Sequence, residues 1–158
     1  MKITVVTVGK IKEKYLKDAI DEYSKRLSKY CKLEIIEVSD EKTLDNASEV
    51  MEDAIRSKEA ERILKYVKDD AFVITLEING MQLSSEELSQ KLEDIALCGK
   101  STVCFIIGSS FGLSDEVKKM SDFRFSMSKM TFSHQMIRLI FVEQLYRSMT
   151  ILNGEPYH

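Results

Sequence analysis

Apolar positions along this chain fall into two alternating periods. KITVVTV (Lys2–Val8) is a β-branched run ending at Gly9, which predicts a buried strand. Leu16, Ala19, Ile20, Tyr23 and Leu27 then recur at helical spacing and predict an amphipathic helix with its lysines outward. Residues 33–38, LEIIEV, predict a second strand, and 39–48 are polar and loop-like. Ala60, Ile63, Leu64 and Val67 mark a second helix, and AFVITLE (71–77) a third strand closed by the turn signal Asn79-Gly80. Ser84 with Glu87 forms a capping box that opens a helix ending at Gly99. A fourth strand over Thr102–Ile107, a short helix over 114–120 and a weaker strand over 123–128 follow. The last helix runs from about 133 to 152 and stops at Asn153-Gly154.

Strand and helix alternate five times, so the expected class is α/β: a mostly parallel sheet with helices on both faces. No linker, repeat or low-complexity stretch divides residues 1–158, which predicts one domain. Ligands of such sheets bind outside the carboxyl ends of the strands. The loops after Leu76, Ile107 and Phe125 are therefore the places to seek a site.

Composition changes this picture little. Apolar residues are 44% and charged residues 31%, an ordinary globular balance. No apolar run approaches the length of a membrane span, and the opening is too short for a signal-peptide core. Cys31, Cys98 and Cys104 cannot all pair and form no CxxC, which predicts buried thiols in a reducing cytoplasm. With two histidines and three scattered cysteines, no metal site is expected.

Charge is more informative in its distribution than in its total of −3. Residues 1–33 carry net +5, residues 34–99 net −10 and residues 100–158 net +2. If the two ends meet, they form a cationic face on an acidic protein; otherwise the lysines are one solvated helix surface. Lys10, Lys12, Lys14, Arg124 and Arg138 are the candidate phosphate contacts.

The loop GSSFGLS (108–114) is neither GxGxxG nor a P-loop, and its two glycines suit a tight turn or close approach to a ligand equally. SMSKMTFSHQ (126–135) is rich in hydroxyls and methionines; it can wall a cofactor or fill core gaps. The last helix is apolar nearly all round, and in a domain this small a second copy is the simplest cover. Glu143 and Arg147, four apart, can pair. Arg138 has no acid on its own helix and meets either an anion or a distant carboxylate. The tail, Pro156-Tyr157-His158, carries the only proline and one of the two histidines.

VITLEINGMQLSSEE, FIIGSSFGLSDEV and SMSKMTFSHQMIRLIFVEQLYRSMTILNGEPYH together closely resemble the bacterial ribosomal RNA large subunit methyltransferase H family, and the opening MKITVVTVGKIKEKYLKDAIDEYSKRL is similar to its start. The resemblance spans essentially the whole chain. It implies a SPOUT-type fold with a deep C-terminal trefoil knot, a homodimer packed through that knot, and a cytoplasmic location. It implies methyl transfer from S-adenosyl-L-methionine to N3 of a pseudouridine, position 1915, in a 23S rRNA stem-loop on the assembled ribosome. Membrane and DNA are not implied partners. The family's cofactor contacts fall on Leu76, Gly108, Met127, Ser128, Lys129, Met130, Thr131 and Phe132. Two positions depart from its pattern: Ser109 where a second glycine is usual, and Ser133 where proline is frequent.

N3 of pseudouridine carries an imide proton that must leave before the nitrogen can attack, so the reaction needs alignment and a proton acceptor rather than a metal. His158 is the expected acceptor, reaching the partner's pocket with Tyr157 against the base. His134 is the competing base, and Arg138 completes the candidate catalytic set. The rival readings are a non-catalytic RNA-binding dimer of the same fold and an α/β oxidoreductase; the second lacks GxGxxG and a ribose-binding acid.

Overall fold

The computed structural model describes residues 1–42 and 45–157; Thr43, Leu44 and His158 lie outside the described residues. Ten elements alternate: β1 (Lys2–Val8), α1 (Lys14–Leu27), β2 (Lys32–Val38), α2 (Glu49–Leu64), β3 (Phe72–Gln82), α3 (Ser85–Leu97), β4 (Thr102–Ile107), α4 (Asp115–Met120), β5 (Phe123–Ser126) and α5 (Met136–Leu152). The strands form one parallel sheet in the order β2-β1-β4-β3-β5. The expected class, a parallel α/β sheet covered on both faces, is the one observed.

Alternation along each strand divides the core. Ile3, Val5, Val103, Phe105 and Ile107 pack toward residues of α1, α3 and α5. Val6, Val8, Cys104 and Ile106 pack toward α2 and Leu113 and Val117 around α4. Both β1 and β4 lie inside the sheet, which explains why their sequences are almost continuously apolar. Phe105 and Phe141 meet edge to face at 4.7 Å and lock α5 against the centre of the sheet.

The helix caps follow the local chemistry. Ser48 accepts the Met51 N–H at 3.2 Å, and Ser84 with Glu87 makes the full capping box. Ser133 accepts the Met136 N–H at 3.1 Å, so it caps a turn just ahead of α5, which begins at Met136 rather than 133. Among the three free cysteines, Cys31 and Cys104 are buried, but Cys98 is exposed where α3 ends.

The Asn79-Gly80 signal does not close β3. The strand continues to Gln82 through a register shift, so that Leu76 and Met81 both pair with Phe125. Residues 77–80 bulge outward. A Cβ on Gly80 would lie 2.8 Å from backbone atoms of Arg124 and Phe125, so only glycine lets the bulge press against β5. The fifth strand correspondingly stops at Ser126, two residues short of the sequence expectation.

Candidate active site

Strand order brings three distant loops together. β4, β3 and β5 are neighbours, so their carboxyl ends open on one place. There a cavity of about 690 Å³ is lined by β3 and its bulge from Leu76 to Asn79, by the turn after β4 including Gly108, Ser109 and Gly112, and by the segment running from Ser126 to α5. Leu76, Gly108, Met127, Ser128, Met130, Thr131 and Phe132, all singled out in the sequence, line it together; exposed Lys129 does not.

Each wall has its own support. Gly108 sits under the turn so closely that a Cβ there would be 2.9 Å from the carbonyl group of Gly112. In the segment after β5, Ser126 donates to the Ser128 carbonyl at 3.0 Å, and the Ser128 hydroxyl accepts the Met130 N–H at 3.0 Å. Small hydroxyls thus shape this backbone locally, leaving Met127, Met130 and Phe132 as apolar walls.

Glu77 also lines the cavity, although no motif in the sequence marks it. It stands at the carboxyl end of its strand, next to Leu76, a position that already pointed to the site. Arg124 Nε and Nη2 donate to its two oxygens at 2.9 and 2.6 Å, and the Thr75 hydroxyl donates at 2.6 Å. Burial pushes its pKa up, but the Arg124 and Thr75 bonds prevail and hold it below the ordinary carboxylate value. Arg124 is therefore already paired, and so is Lys14, with Asp18 at 2.7 Å. Lys118, on the short helix α4 that the sequence predicts, lines the same cavity.

His134 stands at the cavity wall, half-buried. Burial, and then the positive charge of Arg138, push its pKa below 6.5 against the opposing pull of Asp40. The ring is thus neutral near pH 7 and able to accept a proton.

Arg138 meets the distant carboxylate rather than an open surface. Its residue is 3% exposed. Nη1 donates to the Gly9 carbonyl at 2.8 Å and to Glu37 at 3.2 Å, and Nη2 donates to the Val8 carbonyl. The anion alternative loses its basis, because the guanidinium closes the carboxyl end of β1. This also brings the chain's ends together: α1 packs on α5, and Gln135 accepts the Lys12 N–H at 3.2 Å. Exposed Lys10 and Lys12 therefore flank the start of α5.

Tyr157 is elsewhere. It packs against Tyr146 with tilted rings, centroids 4.8 Å apart, donates to Glu143 at 3.0 Å and lies under the Arg147 guanidinium. Burial, then hydrogen bonds to Tyr23 and Glu143, push its pKa above the ordinary value, so it stays protonated. It does not line its own chain's cavity. The expected Glu143–Arg147 pair is present at 3.1 Å. His158 lies outside the described residues.

Among the described residues no group of three acidic, histidine or cysteine side chains could hold a metal, and no helix is long and apolar enough to cross a membrane.

A parallel sheet with an apolar, hydroxyl-fringed cavity at its carboxyl edge and a half-buried histidine in the wall defines an α/β domain with room for a small organic ligand. The family model described as predicted SPOUT methyltransferase matches residues 1–158, and the chain belongs to that methyltransferase family. It is 56% identical over its whole length to ribosomal RNA large subunit methyltransferase H of Acetivibrio thermocellus, covering 99% of that protein. It is also 56% identical, with full coverage of this chain and 99% of the relative, to the protein of the same name from Clostridium botulinum. The fold is shared with the crystal structure of a tRNA (m1G37) methyltransferase from Aquifex aeolicus, with TM-score 0.53 and 18% identity over 100% of this chain and 75% of that one.

Proposed function

We propose that this methyltransferase moves a methyl group from S-adenosyl-L-methionine to N3 of a pseudouridine in large-subunit rRNA, position 1915 of 23S rRNA, on the assembled ribosome. The observation that carries the reading is the meeting of Leu76, Gly108 and the 127–132 segment in one cavity. Its chemistry fits the donor: Leu76, Met127, Met130 and Phe132 offer walls for a flat ring, and Ser128, Thr131 and the loop backbones offer hydrogen bonds. The donor supplies an electrophilic methyl carbon on a sulfonium that leaves as a neutral thioether.

The chain's own residues must exclude water, orient the uracil ring and take the imide proton. His134 is placed to accept that proton, its ring being kept neutral by burial and by Arg138, and the same surroundings favour the proton's onward release. Arg138 acts as a positioning residue, fixing the end of β1 beside that histidine. Tyr157 is held on α5 away from its own cavity, which supports delivery of Tyr157 and His158 to a partner's site. A homodimer is supported by α5, where Ile137, Leu139, Ile140 and Ile151 remain only half-buried in one chain. Family membership supports the trefoil knot in the C-terminal part. Exposed Lys10 and Lys12, beside the start of α5, are cations from which phosphate contacts would be made.

Mass spectrometry of 23S rRNA tests this. Cells lacking the chain should lose one methyl at the pseudouridine, and purified wild-type protein with S-adenosyl-L-methionine should restore it on isolated ribosomes. An unchanged methyl in those cells would refute the assignment, and donor-independent ribosome binding alone would point to the non-catalytic dimer.

A further inference from the structure

The turn that carries Gly108 is gripped from behind by α2. Glu59, on that helix, is 3% exposed and does not line the cavity. Its Oε1 accepts the Ser109 hydroxyl at 2.8 Å, and its Oε2 accepts the Glu41 N–H at 3.2 Å. Arg56, three residues earlier and hence on the same face of the helix, donates to the Phe111 carbonyl at 3.1 Å. Glu52 and Asp53 in turn hold that guanidinium. Ser109 is also the hinge of the turn itself. Its carbonyl accepts the Gly112 N–H at 2.9 Å, and its hydroxyl oxygen lies 3.4 Å from the Phe111 N–H.

Burying a carboxylate is costly unless donors compensate. One of the donors facing Glu59 belongs to a cavity-lining loop. The Ser109 hydroxyl therefore tethers the turn to α2.

We propose that Glu59, acting through Ser109, is a positioning residue that holds the 108–112 backbone in the shape that receives the methyl donor. This rests on the reading of the cavity as the donor's pocket. Neither residue performs chemistry; α2 sets the order of the turn before the ligand arrives, so less ordering remains to oppose binding.

The test uses the full-length protein and two independent measurements. Hydrogen exchange of the Phe111 and Gly112 amides is followed without ligand, and S-adenosyl-L-methionine affinity, donor KM and kcat are measured on ribosomes. Ser109→Ala should speed exchange at both amides and raise donor Kd and KM about fivefold to tenfold, with kcat at saturating donor within about twofold. Glu59→Ala removes the same Ser109 bond together with the Glu41 bond, so its effect on the turn should match, and the double variant should be no worse at the turn than Glu59→Ala alone. Glu59→Gln should recover most of the loss, its amide donating to the Ser109 oxygen while its carbonyl accepts from Glu41. Unchanged exchange and unchanged donor KM in Ser109→Ala would overturn the proposal, even if Glu59→Ala fails to fold. A wild-type protein that binds no donor would instead refute the reading of the cavity, and the exchange arm would still decide whether Glu59 orders the turn.

Discussion

The two ends of α5 carry similar residues and treat them in opposite ways. Near its start, Arg138 is sealed among two backbone carbonyls and Glu37, far from it in sequence. Near its end, Arg147 keeps to its helical neighbour Glu143 and shelters Tyr157 at a partly open surface. The first end binds the helix to the centre of the sheet and shapes the electrostatics of the cavity. The second holds a short tail on the outside. One helix thus carries a sealed charge at one end and packs Tyr157 against its surface at the other, and substitutions at its two ends should have different signatures.

The largest effect is expected at the buried end. Arg138→Met leaves the Gly9 and Val8 carbonyls and Glu37 without their donor, so it should cost about 3 kcal/mol. Differential scanning calorimetry should then show Tm lowered by roughly 6–12 °C. Arg147→Met breaks a half-exposed helical pair and should cost about 1 kcal/mol. Equal losses at the two positions would erase the contrast.

Next comes the tail. Deleting Tyr157 and His158 should leave Tm within a few degrees, yet lower methyl transfer on the order of 10²-fold. A mixed dimer sharpens this. With the deletion in one subunit and Gly108→Val in the other, activity should return to about half of wild type if the tail serves the partner. A mixed dimer as inactive as its parents, with one working site per dimer sufficient, would exclude delivery of the tail to the partner.

A smaller effect is expected at the turn. Gly108→Val must push the Gly112 backbone away, since even a Cβ would come within 2.9 Å. Donor binding by calorimetry should weaken by at least about tenfold, while α5 and the tail stay in place. The loss therefore comes from the turn's own collision rather than only from blocking the ligand. Near-normal affinity would show that the turn does not meet the donor.

The subtlest effect follows pH. The folded pKa of His134 is depressed below 6.5, so the folded state disfavours the proton that the unfolded chain accepts. Stability from this residue is complete above pH 6.5 and falls as pH drops below it. His134→Gln should flatten that part of a urea-melt series, and an unchanged slope would show that the ring is not held neutral.

Much of this was legible in the chain. β1, β4 and the capping box at α3 lie where periodicity and local chemistry place them, because burial on both faces and cap bonds are decided within a few residues. Leu76, Gly108 and the 127–132 segment were identifiable because ligands of a parallel sheet gather at its carboxyl ends, and because the sequence resembles a known family there. Glu59 had only a faint signal, its place on the same helix face as Ile63, and nothing local distinguishes it from the exposed acids of α2.

The sequence by itself determined the alternation of strands and helices, the apolar character of α5 and the short-range partners such as Glu143 with Arg147. Only the tertiary structure decided which strands became neighbours, and so which loops share a cavity. It turned the Asn79-Gly80 signal into a bulge, because the same Phe125 pairs on both sides of it. It gave Arg138 its acceptors on β1 and Glu59 its serine after β4. The physical reason is the range of the forces involved. Helical periodicity and caps are satisfied between near neighbours, whereas a buried charge must find its partner wherever the folded chain brings one within hydrogen-bond distance.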